Sequence, residues 1–272
     1  MASSLSESGP PSGPPGPSPH PVNLPQIGSL DLKARYHSAR WGGDFFDAVA
    51  TDSRVVFLLT DIAGKRPDTH AIAVDVQKVF QTRALDLFKD SDTNESEGIA
   101  ILARDINRSL IEAAGGVRFA PAFLGCYNLA LNILTYHYAG DLLVVFHDGE
   151  ETRVLQPDGI PMGLFTHSTY EPVVLAFARH AKLLLVTKGI IKSRRGPTVF
   201  GDALVPILIE NSSADSASEI CEAVLRAADD SANRKGSRAF LRPRNQKSRD
   251  DLTVVALVRR GYATGSTQPP EP

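Results

Sequence analysis

The chain has 272 residues with 29 Lys or Arg against 31 Asp or Glu, a formal net charge of -2, which excludes a general electrostatic pull toward nucleic acid or acidic membranes. An apolar fraction of 42% and a charged fraction of 22% are those of a soluble globular chain able to bury a sizeable core, and no window approaches the roughly 18 consecutive apolar residues of a membrane span. The two cysteines, Cys126 and Cys221, lie in apolar contexts and read as buried reduced thiols; with neither a basic leader nor an apolar signal core at the N-terminus, a cytoplasmic location is expected.

Residues 1–28 are rich in Pro, Ser and Gly and read as a disordered leader, because they carry too little apolar surface to offset the entropy of ordering. From Leu30, apolar and polar residues alternate through Leu32, Ala34 and Tyr36, which predicts a half-exposed strand leading into the Gly42-Gly43 turn. After Asp61, the three- and four-residue spacing of Ile72, Val76, Val79, Phe80, Leu87 and Phe88 predicts an amphipathic helix. A polar loop is expected from Asp90 to Gly98, then a second helix carrying Ile99, Leu102, Ile106 and Leu110 and stopping at Gly115-Gly116. Four short strands (Ala122 to Leu129, Ile133 to Tyr138, Leu142 to His147, Thr152 to Leu155) are joined by short turns, so an antiparallel meander is expected. Val173 to Ala178 and Lys182 to Thr187 read as another strand pair, followed by helices over Val199 to Ile209 and Ser216 to Ala228. A basic segment, 234–249, precedes Asp250 and a last strand, and a polar tail covers 261–272. Hairpin-length links between strands, interrupted by helices, describe an α+β domain spanning 29–260 with antiparallel sheets covered by helices.

Chemistry concentrates in acidic residues at strand ends. Gly42-Gly43-Asp44-Phe45-Phe46-Asp47 lies at a turn, Asp61-Ile62-Ala63-Gly64-Lys65 closes an apolar strand, and Asp250-Asp251-Leu252-Thr253 opens the last one. Oxygen ligands from distant strand ends, with no His or Cys among them, suit a hard divalent cation such as magnesium or manganese. Taken singly, Asp44, Asp47, Asp61 and Asp250 read as turn or cap residues, where Asp is favoured for its local hydrogen bonds. The seven histidines show no metal-ligand spacing. The basic segment reads as a solvated loop, with nucleic acid not expected as a partner.

These motifs, together with Ala122-Phe123-Leu124-Gly125, Tyr138-Ala139-Gly140, Gly159-Ile160-Pro161-Met162-Gly163 and Thr187-Lys188-Gly189, occur in an order that resembles the PPM-type metal-dependent protein phosphatases. Within them the chain looks closest to the bacterial branch of the sporulation stage II protein E and the sigma-factor regulatory phosphatases. The resemblance implies an α-β-β-α sandwich with a manganese or magnesium centre of one or two ions, hydrolysing phosphoserine or phosphothreonine with an activated water and no covalent phosphoenzyme. It implies that Asp44 is the first metal residue, directly or through water, that Asp61 bridges the metals beside the backbone carbonyl of Ile62, and that Asp250 is the last metal aspartate. It outweighs the turn-or-cap reading for Asp44, Asp61 and Asp250 and leaves Asp47 and Asp251 open; Asp47, Lys65, Lys188 and Asp251 stand as residues supporting the metal shell or contacting phosphate. The implied partner is a phosphorylated protein, for instance an anti-sigma-factor antagonist, with no membrane.

Three positions depart from the family pattern. Lys188 stands where the family reads Thr-Asp-Gly and the Asp binds the second metal, so an ammonium replaces a ligand and repels a cation there. Asp141 follows Tyr-Ala-Gly where the family has Asn-Ala-Gly-His, and Arg66 follows Lys65 where Gly is common. Two readings follow: a phosphatase in which the ammonium takes over part of the second metal's role, or a degenerate pseudophosphatase that binds a phosphoprotein or partner without turnover.

Overall fold

Apolar residues on both faces of most strands dictate two sheets packed against each other and covered by helices outside. The computed structural model describes residues 30–37, 43–64, 68–114, 119–192, 194–195, 198–210, 216–233 and 251–260. The expected leader, basic segment and tail lie outside the described residues, as do Lys65, Arg66 and Asp250. In chain order come β1 (Leu30–His37), β2 (Asp44–Ala50), β3 (Arg54–Asp61), α1 (Asp68–Leu87), α2 (Glu95–Ala114), β4 (Ala122–Asn128), β5 (Ile133–Ala139), β6 (Leu143–His147) and β7 (Thr152–Leu155). Then follow β8 (Val173–Ala176), β9 (Lys182–Val186), α3 (Lys188–Ile191), β10 (Arg194–Arg195), β11 (Thr198–Val199), α4 (Phe200–Glu210), α5 (Ala217–Asn233) and β12 (Leu252–Arg259). One sheet runs β1-β12-β9-β6-β7 and the other β2-β3-β4-β5-β8, with antiparallel pairing throughout, while β10 and β11 form a separate small ribbon.

Three apolar layers hold the stack together. Phe46, Phe57, Leu59, Phe123, Leu185 and Val255 belong to the core between the sheets. Phe45, Leu58, Val76, Phe80, Leu102 and Ile106 fill the space between β2-β3-β4-β5-β8 and helices α1 and α2. Val145, Leu184, Val205, Cys221, Val224 and Val254 do the same on the other side with α4 and α5. The result is the α-β-β-α sandwich with antiparallel sheets that the sequence led us to expect. Cys126 and Cys221 are both buried free thiols, and burial pushes the Cys221 thiol up to about 12.

Three local expectations need correction. The second helix begins at Glu95 rather than Ile99, because Asn94 caps it by accepting from the backbone N–H groups of Ser96 and Glu97 at 3.1 and 3.2 Å. The meander is two hairpins in different sheets: β4 pairs with β5 and β6 with β7, but β5 and β6 do not pair. Gly140, at φ +81°, turns the chain out of one sheet, and Tyr138 and Leu142 on either side of the turn both enter the core between the sheets. Likewise β8 pairs with β5 and β9 with β12 and β6, so 177–181 crosses between layers with Phe177 buried in the same core. A short link permits either a hairpin or a crossover, and burial of the flanking side chains decided for the crossover.

Candidate metal centre

Strand parity sets the site. In β2 and β3, Phe46 and Leu59 face the other sheet, so Asp44 and Asp61, each two residues along toward the same end, lie on that inner face. The β2-β3 register places them directly opposite one another, where cross-strand side chains interact and like charges repel. From the other sheet, Leu185 and Val255 face inward, which by the same alternation puts Thr187 and Thr253 at this end.

The hydroxyls of Thr187 and Thr253 both donate to Oδ2 of Asp44, at 2.6 and 2.5 Å. The two threonines are themselves tied together: the Thr187 N–H donates to the Thr253 carbonyl at 3.1 Å and the Thr253 N–H to the Thr187 hydroxyl at 3.2 Å. One carboxylate is therefore fixed by two strands of the facing sheet.

Two glycines let backbone approach closely here. A Cβ on Gly43 would lie 1.9 Å from the Ile62 carbonyl oxygen, and one on Gly189 would lie 2.0 Å from the Asp251 carbonyl oxygen. Gly43 also accepts from the Ile62 N–H at 2.9 Å. Thus the Ile62 carbonyl is seated beside Asp44, and the segment entering β12 is drawn against the end of β9.

Burial drives the Asp44 carboxyl well above its usual range, Asp61 adds to this, the Thr187 and Thr253 hydroxyls oppose it, and Asp251 raises it further. Asp61, directly across the strand pair, and Asp251 both act on Asp44 as like charges, an arrangement that a cation beside Asp44 would relieve. The donors, two carboxylates and a carbonyl on adjacent strand ends, fit a hard divalent ion. Among the described residues, no group of three or more His, Cys, Asp or Glu stands close enough together to hold a metal; Asp250, the remaining proposed ligand, lies outside them, while its neighbour Asp251 is buried.

Where the resemblance leads one to expect a ligand for a second metal, Lys188 offers none: its ammonium lies 3.1 Å from Asp141 Oδ2. The pairing follows from register: Leu143 of β6 is opposite Val186 of β9, and continuing it two residues outward brings Asp141 opposite Lys188.

Asp47 has another task. It lies on the helix-facing side with Phe45, buried, where its Oδ2 accepts from Gln77 and Gln81 at 3.1 and 2.8 Å and its Oδ1 from the Ala48 N–H at 2.8 Å. It pins α1 to β2 and faces away from Asp44, which corrects the expectation that it supports the metal shell. Sequence reasoning missed the roles of Thr187 and Thr253; their only signal was a hydroxyl at the inward-facing end of an apolar strand.

The four-layer fold is that of PP2C-type phosphatase domains. The SiaA PP2C domain of Pseudomonas aeruginosa superposes with a TM-score of 0.66 at 16% identity, covering 84% of this chain and 85% of that one. The RsbU and RsbW domains of Rv1364c from Mycobacterium tuberculosis give 0.64 at 19% identity, covering 85% of this chain and 61% of that one. RsbX in complex with magnesium gives 0.60 at 13% identity, covering 86% and 97%. No curated protein sequence gives a significant match. Residues 51–260 match the family described as Stage II sporulation protein E (SpoIIE), and the chain belongs to that family.

Proposed function

We propose that this chain is a metal-dependent protein serine/threonine phosphatase that removes the phosphoryl group from a regulatory phosphoprotein in the cytoplasm, such as an anti-sigma-factor antagonist. The observation that carries this reading is the direct cross-strand pairing of Asp44 with Asp61, with Asp44 fixed by hydroxyls of the facing sheet. Family membership and the magnesium of the structurally similar RsbX support it. Asp44, Asp61, the Ile62 carbonyl and Asp250 would hold the ion. A bound manganese or magnesium ion supplies positive charge for phosphoryl oxygens and acidifies water.

The chain's own residues do the rest. Thr187 and Thr253 hold the Asp44 carboxylate so that it need not reorganise during reaction. Phe46, Leu59, Leu185 and Val255 back the site with hydrocarbon, which keeps water from its inner side and strengthens every charge interaction there. With Lys188 at the second position, this reading involves a single resident ion.

Lys188 also favours a second reading, a degenerate family member that binds its phosphoprotein without turnover. Manganese-dependent hydrolysis of a phosphoserine peptide by the purified chain, beside Asp61→Asn and Lys188→Asp, separates the two. Activity in the parent chain that is lost in Asp61→Asn supports the enzyme. Activity arising only in Lys188→Asp supports the degenerate reading, and activity indifferent to Asp61→Asn sinks both.

A further inference from the structure

We propose that Lys188 and Asp141 form an exchangeable phosphoryl-binding pair, in which Asp141 occupies the ammonium until the phosphate monoester dianion of the substrate displaces it. The inference rests on the phosphatase-family reading for where the phosphoryl group arrives, and it does not require turnover.

The position comes first. Lys188 directly follows Thr187, whose hydroxyl holds Asp44, so its backbone adjoins a site where the charged residues acting on Asp44 among the described residues, Asp61 and Asp251, are acidic. An ammonium is a compact cation with three donors and a frequent phosphate ligand. Here its side chain is 43% exposed, so a ligand can reach it.

The partner is suited to being displaced. Asp141 is 70% exposed, and exposed ion pairs of this kind are individually weak. A phosphoryl dianion brings about twice the charge of a carboxylate and three strong acceptor oxygens, so it competes effectively for the same ammonium. The backbone that presents the pair is held in place. The Gly140 N–H donates to the Gly159 carbonyl at 3.0 Å, and the Tyr138 hydroxyl donates to the Leu142 carbonyl, on either side of Asp141. Gly189, after Lys188, is packed on the Asp251 carbonyl. Exchange therefore needs side-chain rotation and no movement of the fold. The two departures from the family pattern, an acid at 141 and a base at 188, become one device.

The test is a titration of inorganic phosphate into the isotopically labelled full chain, with and without magnesium, following the backbone amide resonances of Asp141 and Gly189. Both resonances are expected to shift saturably. Lys188→Met should raise the half-saturating phosphate concentration about tenfold, Lys188→Arg should keep it near the parent value, and Asp141→Asn should lower it several-fold by removing the competitor. Absence of saturable shifts, an unchanged midpoint in Lys188→Met with native resonances elsewhere, or weaker binding in Asp141→Asn each overturns the pair. Phosphate binding that behaves as expected in a chain without hydrolytic activity leaves this proposal standing and removes the enzymatic reading alone.

Discussion

Thr253 and Asp44, 209 positions apart in the chain and in different sheets, are joined by a hydroxyl-to-carboxylate hydrogen bond of 2.5 Å. Because Thr187 donates to the same oxygen, the end of the sandwich is closed by a polar clasp on a half-buried acid. Valine matches threonine in shape but lacks the donor, and a hydrogen bond to a charged group contributes about 1.5–3 kcal/mol. Thr253→Val is expected to lower the urea-unfolding free energy by roughly that amount and to weaken manganese binding, with Thr253→Ser retaining most of both. An unchanged unfolding midpoint in the valine variant would show that the clasp contributes nothing.

A cation should relieve the repulsion between Asp44 and Asp61. Manganese at a hundred times its dissociation constant stabilises the folded state by about 2.7 kcal/mol, which for a domain of this size raises Tm by roughly 5–10 °C. Differential scanning calorimetry should show this rise in the parent chain and its loss in both Asp44→Asn and Asp61→Asn. Asp47→Asn, altered on the other face of β2, should keep the rise. Equal responses in all four proteins would place the ion elsewhere.

The layers were legible in the sequence because burial imposes period: the Ile72-to-Phe88 spacing of α1 and the inward parity of Phe46, Leu59 and Val255 are written in residue type. The Asp44-Asp61 pairing was legible through motif resemblance. Which sheet each strand joins was not, since the short links at Gly140 and His180, of three and five residues, serve a hairpin or a crossover equally well. Nor was the clasp, because a threonine at a strand end has the same spelling whether it faces solvent or a carboxylate. The Lys188-Asp141 contact needed the β6-β9 register, which no local pattern specifies.

At the other end of β3, buried Arg54 donates to Glu95 at 2.8 Å and to the carbonyls of Asp90, Ser91 and Thr93 at 2.8, 2.9 and 3.2 Å, binding the α1-α2 loop to the sheet. Glu95 also accepts from Asn128 at 2.7 Å. Removing one partner of a buried ion pair costs about 3–5 kcal/mol, so Arg54→Met should lower unfolding free energy by an amount of that order. Although burial alone would raise the Glu95 carboxyl, Asn128 and Arg54 hold it below the ordinary value of 4.5. A depressed carboxylate contributes its stability above the unfolded pKa and loses it as pH falls through the folded one. The parent chain should therefore lose stability on acidification below about pH 4.5 more steeply than Glu95→Gln does. Parallel pH profiles would remove Glu95 from the account.

Gly43 and Gly189 should be the least replaceable glycines of the site, because an added Cβ meets backbone oxygen at 1.9 and 2.0 Å, and backbone on a strand end cannot rotate away as a side chain can. Forcing a methyl into packed structure typically costs about 1–3 kcal/mol, and here the displaced atoms are the Ile62 carbonyl and the lead-in to β12. Gly98 supplies the comparison: its Cβ would lie 2.7 Å from the Phe88 ring, far along the chain from the acidic cluster and in a helix, where alanine gains roughly 1 kcal/mol over glycine. Gly43→Ala and Gly189→Ala are therefore expected to lose both thermal stability and the manganese-induced rise in Tm. Gly98→Ala should keep that rise whatever its effect on Tm without metal. Calorimetry with and without manganese reads both quantities in one series, and a full metal response in Gly43→Ala would show that the Ile62 carbonyl is not part of the centre.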